Sequence, residues 1–486
     1  MNDKLIIGDI SAKTFRDIAH QAVDWIADYI ENMDSYPVLS KAKPGDIKSV
    51  LPLSAPESAE DPGDILSDFE KIIVPGITHW NHPRFFAYFS VTGSYPGILA
   101  ELLAGALNVN AMLWKTSPSA TELEEIVLIW LRKMLGLPEV FDGVINDTAS
   151  VSSLCAMVAA RESLSLAIRE KGIAGRADLP GFTIYTSSQS HSSIEKAAIV
   201  LGIGQENVRM IDTDSAFRMD VDALRKTVED DIKDGRRPVC VIATIGTTST
   251  TSVDPVNAIA DICRKHDIWL HVDAAYGGSA ALLPEMADHF TGWEKADSIV
   301  VNPHKWLFTP IDCSVLYCRR PDVLKRAFSL TPEYLKTAEA AEVKNYMDYG
   351  VALGRRFRSL KLWSILRALG TYKIESIIRQ HVAYAQELKE KIEAHPGFEL
   401  LAPAPFSTLV FRHVPEDLKC DLNALNEDLL NAVNRTGDVF LSHTKLNGIY
   451  GIRLAIGNIK TTREDVALAW DIIQREAARN ALKCLK

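Results

Sequence analysis

Apolar and polar positions follow two different periods along this chain, and the switches between them outline its elements. Near the start, Phe15, Ile18, Ala22, Trp25, Ile26, Tyr29 and Ile30 recur at three- and four-residue steps, which predicts an amphipathic helix. Prolines at 37, 44, 52, 56 and 62 then break any period, so residues 35–63 read as an extended arm. Apolar helices are predicted at about 97–107 and 121–135, the second opened by a capping-box pair, Ser119 and Glu122. From Gly143 onward, strand-like runs alternate with amphipathic segments. The strands are expected at 183–186, 208–211, 239–245, 268–272, 298–301 and 313–318, with helical segments at 193–201, 221–232 and 255–265. Such alternation implies an α/β fold with a mostly parallel sheet and helices on both faces. A long helix through 361–369 precedes a second α/β pattern, with strands at 408–411 and 451–455, so a small C-terminal domain is placed from residue 367.

Two of the predicted core strands end on a charge. The run 268–272 meets Asp273, and 298–301 leads into Asn302-Pro303-His304-Lys305-Trp306. Read in isolation, such an Asp and Lys would form a structural ion pair, or the lysine would merely snorkel. At the carboxyl ends of core strands they stand where open α/β sheets bind ligands. The 32-residue step from 273 to 305 leaves room for one crossover between parallel neighbours. A lysine framed by His304 and Trp306 after a buried strand suits an amine of lowered pKa, as imine chemistry requires.

Other stretches are ambiguous on residues alone. Gly143–Ser150 passes from an apolar run into small hydroxylated residues, either an ordinary helix cap or an anion site at a helix N-terminus. Gln189–Ser193 sets His191 at a helix start, and Ala243–Thr248 ends a strand in small residues that would admit a flat ring or form a plain turn. The aromatic block His79–Phe89 could be core or pocket. Residues 328–349 lack a period and read as a long loop, a length that is usually functional or disordered.

Taken together, Asn302-Pro303-His304-Lys305-Trp306 and His271-Val272-Asp273-Ala274-Ala275-Tyr276 resemble the motifs of the pyridoxal-phosphate (PLP) dependent aromatic L-amino-acid decarboxylases, of the group II amino-acid decarboxylases. The resemblance runs from Trp25 to about Trp470. It implies the aspartate-aminotransferase-type fold (fold type I), with a mostly parallel sheet of seven-stranded type. It also implies a homodimer, with residues 1–80 as a helical arm on the partner subunit, 81–366 as the PLP-binding domain and 367–486 as the small α/β domain. By the same resemblance, Thr148, Ala149 and Ser150 hold the cofactor phosphate, and His191 stacks on the pyridine ring and takes part in catalysis. Thr248 lies beside the cofactor and supports Asp273, which keeps the ring nitrogen protonated. Lys305 carries pyridoxal 5'-phosphate as a covalent aldimine, with Asn302 and His304 expected to touch cofactor or substrate carboxylate. Leu330–Lys336 matches the catalytic loop, in which Tyr334 protonates the substrate Cα; relatives with phenylalanine there tend toward oxidative aldehyde formation.

For the substrate side chain, the resemblance puts Trp80 and Phe89 on the pocket. Val91 stands where relatives carry a hydroxyl, which argues against a specific preference for DOPA. Asn110 and Met112 fall where relatives reach across the dimer with apolar or aromatic groups. Gly354 matches decarboxylases that accept indoles, so tryptophan is the first expectation, followed by phenylalanine and tyrosine.

Composition narrows the partners. With 486 residues, 47% hydrophobic and 24% charged, a sizeable core is expected. The net charge of −10 argues against nucleic acid and against an anionic membrane. Seven scattered cysteines without a Cys-x-x-Cys fit a reducing compartment, Asp3, Lys4 and Asp9 argue against a signal peptide, and no apolar run is long enough to span a bilayer. A cytoplasmic enzyme without a metal is the expectation. The alternatives are an aromatic aldehyde synthase, a group II decarboxylase for another amino acid, and a catalytically silent scaffold on the same fold.

Overall fold

The computed structural model describes residues 9–330, 342–415 and 421–484. Seven strands form the larger sheet: β1 (Asp142–Asn146), β2 (Phe182–Ser187), β3 (Val208–Ile211), β4 (Arg237–Thr244), β5 (Trp269–Asp273), β6 (Ser298–Val301) and β7 (Ser314–Cys318). Their order is β1-β7-β6-β5-β4-β2-β3. β7 runs antiparallel to both of its neighbours, and the other pairings are parallel. β2, β5, β6 and β7 are buried at every position, so their near-continuous apolar runs follow from helices covering both faces. As expected from the 32-residue step, β5 and β6 are parallel neighbours, with Asp273 level with Val300.

Local chemistry explains several helix starts. Ser11 caps Ala12–Glu31 by accepting the Thr14 N–H, and Asp220 caps Val221–Lys233 through the Asp222 and Ala223 N–H groups. The predicted capping box is corrected. Helix Pro118–Met134 is capped by Ser117, which accepts the Ala120 N–H at 3.3 Å, while Glu122 accepts the Trp114 indole N–H at 2.8 Å. Pro118 at the first helical position moves the cap two residues upstream of the predicted one. The long helix Ser359–Ala394 is broken at Gly370, whose φ of 69° lies outside helical values.

Strands β8 (Phe398–Leu400), β9 (Thr408–His413), β10 (Ser442–Leu446) and β11 (Ile449–Ala455) form an antiparallel sheet in the order β10-β11-β9-β8. It has its own core, in which Trp470, Phe411 and Leu454 pack with Phe86 from far upstream. Phe86 N–H donates to Phe440 O and Phe86 O accepts from Ala455 N–H, so the aromatic block 79–89 is stitched to the smaller sheet.

Candidate active site

The parallel strands all present their carboxyl ends on one edge of the larger sheet, where an open α/β fold places its crevice. There one cavity is walled by Thr148, Ala149 and Ser150 after β1, and by His191 and Ser193 after β2. Thr244, Gly246 and Thr248 from β4, Asp273, Ala275 and Tyr276 from β5, and Asn302, His304 and Lys305 after β6 complete it, with Phe89 from outside the sheet. Thus Thr148, Ala149, Ser150, His191, Thr248, Asp273, Asn302, His304 and Lys305, expected around the cofactor, come together in space.

Two backbone features shape this cavity. Gly246 has φ of 90°, and a Cβ on Gly277 would stand 2.5 Å from Ile245 O, so two chain segments meet more closely than side chains allow. Helix Ala149–Ser163 begins at the wall with Thr148 as an extended N-cap that makes no side-chain cap bond. Its underside carries hydroxyls: Ser152 meets Ser314 Oγ at 2.9 Å, and Ser153 meets His271 Nε2 at 3.2 Å. His271 in turn meets Ser298 Oγ at 2.9 Å, which pins the helix to β5 and β6. Its positive end therefore faces the cavity from a fixed position, as an anion site requires.

Charge is arranged on the opposite wall. The buried Asp273 accepts the Ala275 N–H at 3.1 Å through Oδ1. Burial lowers the pKa of Lys305; Asp273 opposes that shift and Arg453 adds to it. Lys305 Nζ stands 5.1 Å from the centre of the Phe89 ring. Desolvation by the surrounding walls lowers the pKa of His191, with Asp273 opposing and Lys305 reinforcing. His191 Nδ1 accepts the Ser193 N–H at 3.2 Å, which leaves the proton of a neutral ring on Nε2. His304 is pushed down to about 3 by burial and then by Lys305, and both of its nitrogens have protein partners, the Cys313 N–H and the Asn302 side chain.

Behind these groups lies an aromatic stack. Phe89 and Tyr276 are 3.8 Å apart between ring centres, and Tyr276 and Trp306 4.7 Å, with Trp306 Nε1 donating to His381 Nδ1 at 3.0 Å. Sequence reasoning missed Arg453. Its guanidinium lies 4.5 Å from the Phe89 ring centre, donates through Nε to Ser249 O at 3.2 Å and through Nη1 to Tyr88 O, and is lowered to about 10 by burial. The available signal was a lone arginine inside the otherwise apolar run of β11.

Of the residues expected around the substrate side chain, Phe89 and His191 line the cavity, whereas Trp80, Val91, Asn110, Met112 and Gly354 are not among its walls. Trp80 packs on Phe85 at 4.3 Å. Asn110, Met112 and Gly354 gather elsewhere: Asn110 Nδ2 reaches Met112 Sδ at 3.4 Å, and a Cβ on Gly354 would lie 3.8 Å from the same nitrogen. Tyr334 lies outside the described residues.

The walls fit a phosphorylated aromatic aldehyde. They combine an amine of lowered pKa, a buried carboxylate, an uncapped helix N-terminus and the buried Asn302 side chain, whose Oδ1 position has no protein partner. Residues 44–414 match the pyridoxal-dependent decarboxylase conserved domain. The chain is 41% identical to a phenylacetaldehyde synthase of Arabidopsis thaliana, over 97% of this chain and 98% of that one. It is 40% identical to an aromatic-L-amino-acid decarboxylase of Catharanthus roseus, over 96% and 94%. The crystal structure of Oryza sativa TDC with PLP and tryptamine superposes with a TM-score of 0.93 at 36% identity, covering 97% of this chain and 99% of that one.

Proposed function

Because the chain belongs to the pyridoxal-dependent decarboxylase family, we propose that it removes CO2 from an aromatic L-amino acid and releases the arylalkylamine. Tryptophan is the first substrate to test, with phenylalanine, tyrosine and DOPA after it. The cofactor is pyridoxal 5'-phosphate. The observation that carries the site assignment is the meeting of Asp273, Lys305 and an uncapped helix N-terminus around one cavity.

When bound, the cofactor supplies an electron-poor ring able to accept the electron pair left on Cα as CO2 departs. In this reading Lys305 would hold its aldehyde carbon, and Thr148, Ala149, Ser150 and Asn302 would hold its phosphate. Asp273 would sit against the ring nitrogen and favour its protonated form by direct charge attraction. His191 would cover one ring face, Thr248 would stand beside it, and Tyr334 would be the proton donor to Cα. That tyrosine supports amine over aldehyde as the product, a distinction that matters because named relatives include both kinds of enzyme.

An aromatic substrate is supported by Phe89 in the wall and by the relatives' names; an indole is supported by Gly354, which leaves space beside Asn110. A homodimer is supported by helix Tyr95–Leu107, where Leu99, Leu102, Leu103 and Leu107 are exposed. Asn110, Met112 and Gly354 would then complete the partner's pocket, and the arm 1–80 would pack across the interface, leaving 81–366 and 367–486 as the two domains of each subunit. Five described cysteines are free and buried and no described helix is long and apolar enough to cross a membrane, which fits a cytoplasmic setting.

The test is to supply the twenty amino acids one at a time and assay CO2, amine, aldehyde and peroxide together. Amine matching CO2, from aromatic substrates alone, is expected. Aldehyde with equal peroxide would make the chain an aldehyde synthase, and turnover of a charged amino acid would move it elsewhere in the family.

A further inference from the structure

Asn302 and His304 leave the same strand, and their side chains meet at 3.2 Å between the carboxamide and Nε2. The other ring nitrogen of His304 is already committed, because Nδ1 accepts the Cys313 N–H at 2.9 Å. An accepting Nδ1 carries no proton, so the neutral ring holds its proton on Nε2. A charged ring would set two N–H donors face to face at Cys313. The Nε2–H therefore needs an acceptor, and the only atom of a carboxamide able to accept is its oxygen. Oxygen and nitrogen of an amide have the same shape, and the bonding network decides which is which. His304 thus turns the Asn302 oxygen toward itself. The Asn302 NH2 then takes the other position, which is buried and has no protein partner among the described residues. Two N–H donors without an acceptor in a dry wall are costly, and a ligand oxygen relieves the cost.

We propose that His304 is a positioning residue: fixed as its Nε2–H form by the Cys313 amide, it turns the Asn302 carboxamide so that its NH2 faces the cavity as a donor to the cofactor phosphate. The anchoring amide sits just before β7, the strand that runs against its neighbours and so begins on the cavity edge. Asn302 and the N-terminus of helix Ala149–Ser163 line the same cavity, so the turned NH2 and the helix dipole serve one anion. The inference rests on the reading that this cavity holds the cofactor, and its test separates the two.

Apoenzyme is titrated with pyridoxal 5'-phosphate and, separately, with pyridoxal, which lacks the phosphate. Visible absorbance reports binding, and borohydride reduction followed by peptide mapping reports the attachment site. His304→Leu removes the Nε2 donor and is expected to weaken pyridoxal 5'-phosphate about tenfold, the size of one charge-assisted hydrogen bond, while leaving pyridoxal unchanged. His304→Gln keeps an N–H toward Asn302 and is expected to restore most of the difference. Asn302→Asp keeps the shape, still accepts from His304 and directs a second oxygen at the phosphate, so it is expected to lose the phosphorylated ligand selectively and by more. An equal loss of both ligands in His304→Leu, or no recovery in His304→Gln, overturns the proposal. Unchanged cofactor affinity with weakened binding of an aromatic amino acid would also overturn it, since the NH2 would then face the substrate carboxylate. If neither ligand binds wild type, or the reduced tag maps away from Lys305, the reading of the cavity itself fails.

Discussion

Glu124 and Arg355 offer the sharpest test of how the site is held. Both side chains are almost fully buried, and Arg355 Nη2 meets Glu124 Oε1 at 2.6 Å. The same carboxylate oxygen accepts the Ile145 N–H at 2.9 Å, and Arg355 returns a bond from Nη2 to Ile145 O at 2.8 Å. The pair therefore grips both backbone groups of one residue of β1, three positions before the helix cap Thr148. Arg355 also donates to Ala111 O at 3.3 Å, beside Asn110 and Met112. Replacing Glu124 with leucine strands a buried guanidinium and removes the acceptor of Ile145 N–H, which is expected to cost about 3–5 kcal/mol. The double variant Glu124→Leu with Arg355→Met removes both charges and is expected to recover the part of that loss due to the stranded guanidinium, while Ile145 N–H and O stay unpaired. Urea unfolding at fixed protein and cofactor concentration gives the comparison, provided the slope stays constant. A single variant within 1 kcal/mol of wild type would refute the reasoning, since no buried charge would then be stranded. So would a double variant as damaged as the two singles combined. Because β1 delivers the helix proposed to bind the phosphate, cofactor affinity should fall with stability in the single variant and return in part in the double.

His82, His271, His381 and His413 are lowered to about 4 and His304 to about 3, in each case chiefly by burial. Their unfolded forms bind protons first, so stability is present above about pH 6.5 and is lost as pH falls toward 4, by up to about 2 kcal/mol per histidine at pH 5. The fully buried Asp254, raised to about 6 by burial, acts in the opposite sense between pH 4 and 6, and the five histidines outweigh it. The urea midpoint should therefore drop from pH 7 to 5, and an unchanged midpoint contradicts the burial of these rings. Gly277→Ala sets a Cβ 2.5 Å from Ile245 O and should abolish the visible absorbance of bound cofactor; retention of that band at wild-type intensity argues against this approach as part of the site. Gly354→Ser meets only ordinary contact, 3.8 Å from Asn110 Nδ2, so it should fold normally and shift preference from indole to phenol side chains. An unaltered ratio of tryptophan to tyrosine turnover removes Gly354 from the pocket.

Much of the larger sheet was legible because buried parallel strands announce themselves as short β-branched runs. β3 and β6 match their predicted limits residue for residue, and β2, β4, β5 and β7 match within about two residues. β8 and β10 were not legible: β8 has three residues, and β10, Ser442–Leu446, exposes polar side chains on an edge. Neither carries the apolar period that marks a covered strand. The direction of β7 was equally hidden, since a run buried on both faces reads the same in either orientation.

The site divides along the same line. Asp273 and Lys305 were legible because each is a single charge at the end of an apolar run, and the parallel sheet alone brings such ends to one edge. Arg453 was not, although it is also a single charge in an apolar strand. Its strand belongs to the smaller sheet, and its place over Phe89 depends on how the two sheets meet and on residues 79–89 being stitched between them. No local period encodes that docking. Asn302 shows the intermediate case: its position was readable, but the direction of its amide is decided by a histidine tautomer, itself decided by a backbone N–H on the one strand whose orientation sequence could not supply. Asp273 and Lys305 were thus legible as local pattern, Thr148, Ala149, Ser150, His191 and Thr248 only through the family resemblance, and Arg453 only once the chain was folded.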